Sequence, residues 1–430
     1  MRLVRFTPLL LLPWFLAGAG PGDEGCLAQD ARPAAGDVAF QTRELDRSLS
    51  VGYAVLPVDV NGDGKTDLVV VDTNRVVWFE NPTWKMRTIL KGMTRPDNVC
   101  VAAADIDGDG KIDLALGADW KPFNTKAGGT LHWLKQPASL DDPWKLYPIG
   151  EEPTVHRIRF ADLGGGKPTL LVAPLMGRNS TPDRNWTDGR GVRLLAYTIP
   201  KDPTRDKWRA EVIDQSLHVL HNFCPVPAPG GKGSDILTAS YEGVHRLRRT
   251  GGGWVKQKVG AGNQATPTRN RGASEVKQGK LKGGREVIAT IEPWHGHQVV
   301  VYTPPRAGGT APSPSSGRAT TMLWDRHVLD EKLRWGHAVW FADLDGDGSD
   351  ELIVGVRDNL SKKPGERCGV RIYKALDADG ARWRRQLVDE GGVAVEDLAC
   401  ADLSGEGRID IVAVGRATRN VRLYRNLGKK

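Results

Sequence analysis

The sequence predicts an all-β fold: a seven-bladed β-propeller of four-stranded antiparallel blades, closed by an N-terminal strand. Three observations predict it. An acidic turn between two apolar strands recurs along the chain, a third strand and a Trp-led fourth strand follow it, and the last unit lacks a fourth strand that the chain start can supply. Composition agrees: apolar runs are short and rich in Val, Ile, Leu and Trp, Gly and Pro are plentiful, and no long helical period runs through the 430 residues.

In each unit the acidic turn joins the first strand to the second. It reads DVNGDGKTDLVVV from Asp59, DIDGDGKIDLALG from Asp105, DLDGDGSDELIVG from Asp343 and DLSGEGRIDIVAV from Asp402. Third strands follow as RVVWFEN from Arg75, TLHWLKQ from Thr130, VRLLAYT from Val192, VHRLRRT from Val244, QVVVYTP from Gln298, VRIYKAL from Val370 and VRLYRNL from Val421. Fourth strands open near Trp84, Trp144, Trp208, Trp254, Trp324 and Trp383. Four antiparallel strands repeated in this way are the design of a propeller blade. Blades three, four and five have degenerate turns that keep only Asp162, Asp235 and Glu286. FQTRELD from Phe40 has the fourth-strand pattern and completes blade seven, removing the edge that an open ring would leave.

The chain start has the pattern of a signal peptide over 1–19: Arg2 and Arg5, an apolar run from Phe6 to Ala17, and a small-residue cleavage site at Ala17-Gly18-Ala19. Residues 20–38 read as a linker and 39–430 as the propeller. This predicts a secreted, periplasmic or cell-envelope protein with no transmembrane segment after the signal. Five irregularly spaced cysteines make no disulfide framework. The net charge of +8 is spread without a basic block, which argues against nucleic acid as a partner.

At these residues the chain resembles the FG-GAP or VCBS repeat family, whose members form propellers. Alternating oxygen donors around a glycine turn suit a hard cation needing six to eight oxygens, so calcium is the expected cofactor. The side-chain donors are Asp59, Asn61, Asp63 and Asp67 in blade one, and Asp105, Asp107, Asp109 and Asp113 in blade two. Blade six offers Asp343, Asp345, Asp347 and Glu351, and blade seven the weaker set Asp402, Ser404, Glu406 and Asp410. The other reading of these loops is a set of turns whose Asp and Asn merely cap backbone amides.

Alignment of the innermost strands on the acidic turn brings histidines to one register. His156 and His337 each lie six residues before the first turn aspartate of their blades, and His221 takes the same place in blade four. Glu396 stands there in blade seven, Tyr53 in blade one, Val99 beside Asn98 in blade two, and Ser274 or Glu275 in blade five. This register lies at the strand end away from the acidic turns, where the second-to-third-strand loops also open. Those loops carry Asp119, Trp120, Arg178, Glu242, Trp294, His295, His297, Arg357 and Asp358. The expectation is a solvated funnel in which His156, His221, His337 and His297 act as acid, base or ligands of a second divalent metal. Trp294, His295, Glu396, Arg178 and Arg357 would bind the ligand.

TVHRIRFADL, EPWHGHQVVVY and WGHAVWFADLDGDG together also resemble, more loosely, the propeller domain of aldos-2-ulose dehydratases. That resemblance implies oxidised sugars and a metal-dependent dehydration site associated with the propeller. The dehydratases carry an additional cupin domain, for which this chain leaves no room. Two functions therefore stand open. One is a carbohydrate-directed lyase or dehydratase, and the other a non-catalytic propeller that binds a glycan, another small polar ligand or an envelope protein.

Overall fold

The computed structural model describes residues 29–30, 36–266, 268–305, 322–358 and 367–429. The expected signal peptide, Cys26 and most of the expected linker lie outside the described residues. Within them the chain forms seven antiparallel sheets around one axis, a seven-bladed propeller. Among the described residues the one helical element is a short 3-10 turn at Pro182–Arg184, and no described helix is long and apolar enough to cross a membrane.

Burial explains the strand composition. The second strands of blades one, two, six and seven, Asp67–Asp72, Asp113–Ala118, Glu351–Val356 and Asp410–Gly415, are buried at every position. A neighbouring blade covers each face, so apolar residues run continuously instead of alternating. The fourth strands are the least buried, from mostly exposed in Lys85–Lys91 to largely buried or half-buried in Trp383–Leu387. The innermost strands, such as Ala54–Val58 and Val155–Asp162, are buried or half-buried and face the axis.

Ring closure follows the sequence expectation. Val38–Asp46 pairs antiparallel with Val421–Lys429, with Thr42 opposite Tyr424, and supplies the missing fourth strand of blade seven. Inside the expected linker, Gln29–Asp30 pairs in parallel with the fourth strand of blade six, Trp383–Leu387. The four described cysteines, Cys100, Cys224, Cys368 and Cys400, are free thiols.

A repeated side-chain device links neighbouring blades. Asn81, just after a third strand, donates from Nδ2 to the Leu403 carbonyl of blade seven and to its own blade's Thr66 carbonyl, both at 2.8 Å. Gln136 donates to Val60 of blade one at 2.8 Å and to Ile112 at 3.1 Å. Asn426 donates to Leu344 of blade six at 2.7 Å and to Ile409 at 3.0 Å. Each amide satisfies turn carbonyls that burial removes from water, and in doing so fixes one acidic turn against the next.

Candidate functional site

The acidic turns are built locally. Asp59 accepts backbone N–H bonds from Gly62 and Gly64, both at 2.8 Å, and those glycines adopt φ of 73° and 81°, which a Cβ would strain. Asp105, Asp343 and Asp402 accept the equivalent glycine amides of their own turns. The last carboxylates lie beneath the turns. Asp67 accepts the amides of Val60 and Asn81, Asp113 those of Ile106 and Gln136, and Asp410 those of Leu403 and Asn426. Burial raises Asp67 and Asp113 to about 6 and Glu351 to about 7.

The four turns differ in how well they suit a cation. Carboxylate oxygens of Asp105, Asp107 and Asp113, and of Asp343, Asp345 and Asp347, lie within 4.8 Å of one another. Asp107 Oδ1 and Glu351 Oε1 are buried without a hydrogen-bond partner. Lysine ammonium groups balance the charge: Lys135 bonds Asp107 and Asp109, and Lys374 bonds Asp345 and Asp347. Blades two and six therefore fit a hard cation that displaces a lysine. In blade one Asp63 bonds Lys65, and in blade seven Glu406 is held by both Arg408 and Arg425. The degenerate blades use their acids otherwise. Asp162 caps the amides of Gly164, Gly165 and Gly166, Asp235 pairs with Arg248 at 2.8 Å, and Glu286 pairs with Arg246.

On the other face the predicted histidines converge. The His156 and His221 ring centroids lie 4.8 Å apart, and His221 and His337 lie 5.1 Å apart. His295 completes the group at 4.6 Å from His221 and 5.0 Å from His337. Ligand nitrogens of His221, His295 and His337 fall within 4.8 Å of one another. Their hydrogen bonds set the tautomers. His221 Nδ1 donates to the Ser274 carbonyl at 3.2 Å and lies 2.9 Å from Glu275 Oε1, and His337 Nδ1 donates to the Glu396 carbonyl at 2.6 Å. Both Nε2 atoms are left with lone pairs, and His295 Nε2 stands 2.7 Å from His221 Nε2.

Two expectations about this group need correction. The histidines do not stand in a solvated funnel: His156, His221 and His337 are 3, 0 and 2% exposed. Trp120 stacks on His156 and Trp294 on His295, covering those two rings, while His295 stays half-buried. Burial pushes the pKa of all four imidazoles down, and neighbouring arginine and histidine charges reinforce the shift for His156, His295 and His337. The second correction is that His295, not His297, enters the cluster. His295 has φ of 48° and stacks on Trp294 at an interplanar angle of 8°, which turns its ring inward. His297 is half-buried in the wall of a neighbouring cavity, and its backbone carbonyl accepts the Leu333 amide.

That cavity, of about 690 Å³, opens beside the cluster and is lined by Trp294, His295, His297, Trp335, Arg357 and Asp358 among others. Arg357 forks onto Asp358 and reaches Glu396 at 3.4 Å, while Arg416 holds the other Glu396 oxygen at 3.2 Å. Glu396 thus joins the group through its carbonyl, and its carboxylate serves as an anchor for arginines. Arg178 does not line the cavity, because it is clamped on Glu152 at 2.8 and 3.1 Å. Of the other register positions, Tyr53 donates to Asp97 at 2.8 Å and packs edge-on against Trp120, and Val99 is core. Sequence reading missed Trp335, whose signal was its place two residues before His337.

Comparison with known proteins agrees with this architecture. Residues 128–305 match the family model "Aldos-2-ulose dehydratase, beta-propeller domain", and residues 59–116 match the FG-GAP-like repeat. A curated aldos-2-ulose dehydratase from Phanerodontia chrysosporium is 29% identical over 308 residues, which cover 67% of this chain and 32% of that protein. The match thus spans about a third of the relative's length. Two solved structures of BBS1N in complex with ARL6DN share the fold. The mercury-soaked one gives a TM-score of 0.51 at 11% identity, covering 91% of this chain and 98% of that one. The lead-soaked one gives 0.50 at 12%, covering 92% and 100%. The chain is a propeller with FG-GAP repeats, related to that of an aldos-2-ulose dehydratase.

Proposed function

We propose that the histidine face is a metal-assisted, carbohydrate-directed site of the dehydratase or lyase type. The observation that carries the proposal is the convergence of His221, His295 and His337, with two Nε2 lone pairs fixed by hydrogen bonds at the far side of their rings. Three neutral imidazoles are a common donor set for a divalent transition metal. Such an ion would polarise the carbonyl of an oxidised sugar and so acidify the neighbouring C–H. The protein's own groups arrange the rest. His156 Nδ1 faces Arg157 at 3.5 Å, which places its proton on Nε2, a buried donor without a partner that can hold a ligand oxygen. His297 in the cavity wall can take up the proton, Arg357 and Asp358 can orient hydroxyl groups, and Trp294 and Trp335 offer faces for a sugar ring. Calcium in blades two and six would be structural, and export through the N-terminal signal would place the protein outside the cytoplasm.

Metal analysis of the purified chain tests this, followed by incubation with aldos-2-uloses and uronate polymers under absorbance detection of the unsaturated product. One equivalent of transition metal, lost in His221→Ala and His337→Ala together with product formation, is expected. Metal-free protein that still binds sugar and forms no product would select the non-catalytic glycan-binding alternative.

A further inference from the structure

A second cavity lies along the axis on the acidic-turn side of the histidine layer. It measures about 380 Å³ and is walled by the innermost strands of all seven blades. Much of its wall is apolar, from Ala54, Leu56, Ala103, Ile158 and Val339, yet three cations and two carboxylates also face it: Arg157, Arg159, Lys277, Glu275 and Asp397. The carboxylates are already engaged. Glu275 accepts from Asn222 Nδ2 at 2.5 Å and sits 2.9 Å from His221 Nδ1. Asp397 accepts the backbone amides of Leu398 at 3.0 Å and Val55 at 3.1 Å. Arg157 is turned onto the His156 carbonyl at 3.1 Å.

None of the three cations makes an ion pair among the described residues, and Arg159 and Lys277 feel Asp397 and Glu275 only at longer range. Arg159 donates only to the Asn222 side-chain oxygen at 3.1 Å and to the Ile158 carbonyl at 3.4 Å. Lys277 has its ammonium 4.1 Å from the centre of the Trp340 ring and no ion pair. Burial lowers the pKa of both, the mark of charges that gain from an anion. A planar guanidinium suits bidentate recognition of a carboxylate, and a lysine adds a point charge. With three cations against two carboxylates, one negative charge balances the cavity, and the apolar wall suits a short carbon body.

We propose that this axial cavity is a binding site for a small monocarboxylate, held by Arg159 and Lys277. The test titrates the full chain with acetate, butyrate and gluconate, with inorganic phosphate and chloride as other anions, by calorimetry and thermal shift. At least one monocarboxylate should bind saturably and more tightly than phosphate. Lys277→Met and Arg159→Gln should each weaken it tenfold or more, and His337→Ala should leave it unchanged. Should either variant fail to fold, alkylation of cavity-lining Cys224 in the wild-type protein replaces it, and saturating carboxylate should slow that reaction. No saturable binding of any monocarboxylate, tighter binding of phosphate, or affinity unchanged in Lys277→Met with Cys224 unprotected would overturn the proposal.

Discussion

Replacement of Asn81 by Ala isolates the energetic worth of the amide that ties blade one to blade seven. The side chain is 6% exposed and makes two hydrogen bonds of 2.8 Å, one to its own turn and one across the blade boundary. Each such bond contributes about 1 kcal/mol net, and a buried acceptor left without a partner costs about 1–3 kcal/mol. The Leu403 carbonyl loses its donor, whereas the Thr66 carbonyl lies nearer solvent, so the expected loss is about 2–4 kcal/mol. Asn81→Asp should be worse, because a carboxylate would face the same two carbonyl oxygens. Urea unfolding followed by tryptophan fluorescence measures the change as a lower midpoint at constant slope. Gln136→Ala should cost a similar amount, since it repeats the geometry one blade on. Its effect should add to that of Asn81→Ala, because the two amides share no partner. A loss below about 0.5 kcal/mol in both variants would refute the claim that these amides couple the blades.

Deletion of Phe40 to Ser48 removes most of the closing strand and should yield aggregation-prone protein by light scattering, since the edge of Val421–Lys429 is then unpaired. Chelation should lower the melting temperature if calcium binds, and Asp107→Ala and Asp345→Ala should each lose one ion by elemental analysis, as expected of the blades with clustered carboxylates. His295→Ala should abolish transition-metal binding, while His297→Ala should retain the metal and lose turnover; equal metal loss in both would put His297 back in the cluster. His245 is buried, and its pKa falls from 6.5 to about 4, chiefly by burial and then by Lys256 and Lys258. Between those values the unfolded chain binds the proton and the folded one does not, so stability is present above pH 6.5 and declines toward pH 4. His245→Leu should flatten that acid limb by about 2–3 kcal/mol in pH-dependent denaturation.

Repetition made the fold legible. Equivalent positions in successive blades share a height on the axis, so the spacing of His156, His221 and His337 from the acidic turns was enough to bring them together. The same reasoning carried the closing strand, because a unit lacking its last strand leaves hydrogen bonds that some segment must satisfy. It failed where a side chain's direction depends on a turn instead of a repeat. His295 and His297 are two residues apart on one short connection, and only the left-handed backbone at His295 and its stack on Trp294 decide which ring turns inward. Burial of the cluster was equally invisible. It arises because Trp120 and Trp294 lie across it from loops whose conformation no periodicity fixes. Burial changes the chemistry expected of the face. Exposed imidazoles would titrate near their ordinary value and exchange protons with water. Burial pushes these imidazoles toward the neutral form, and pairs such as His221 and His295, with nitrogens 2.7 Å apart, are better suited to sharing a cation than to acting singly. In the proposed reaction, proton transfer would then fall to a group at the cavity wall, which is why the contrast between His295→Ala and His297→Ala separates metal binding from turnover.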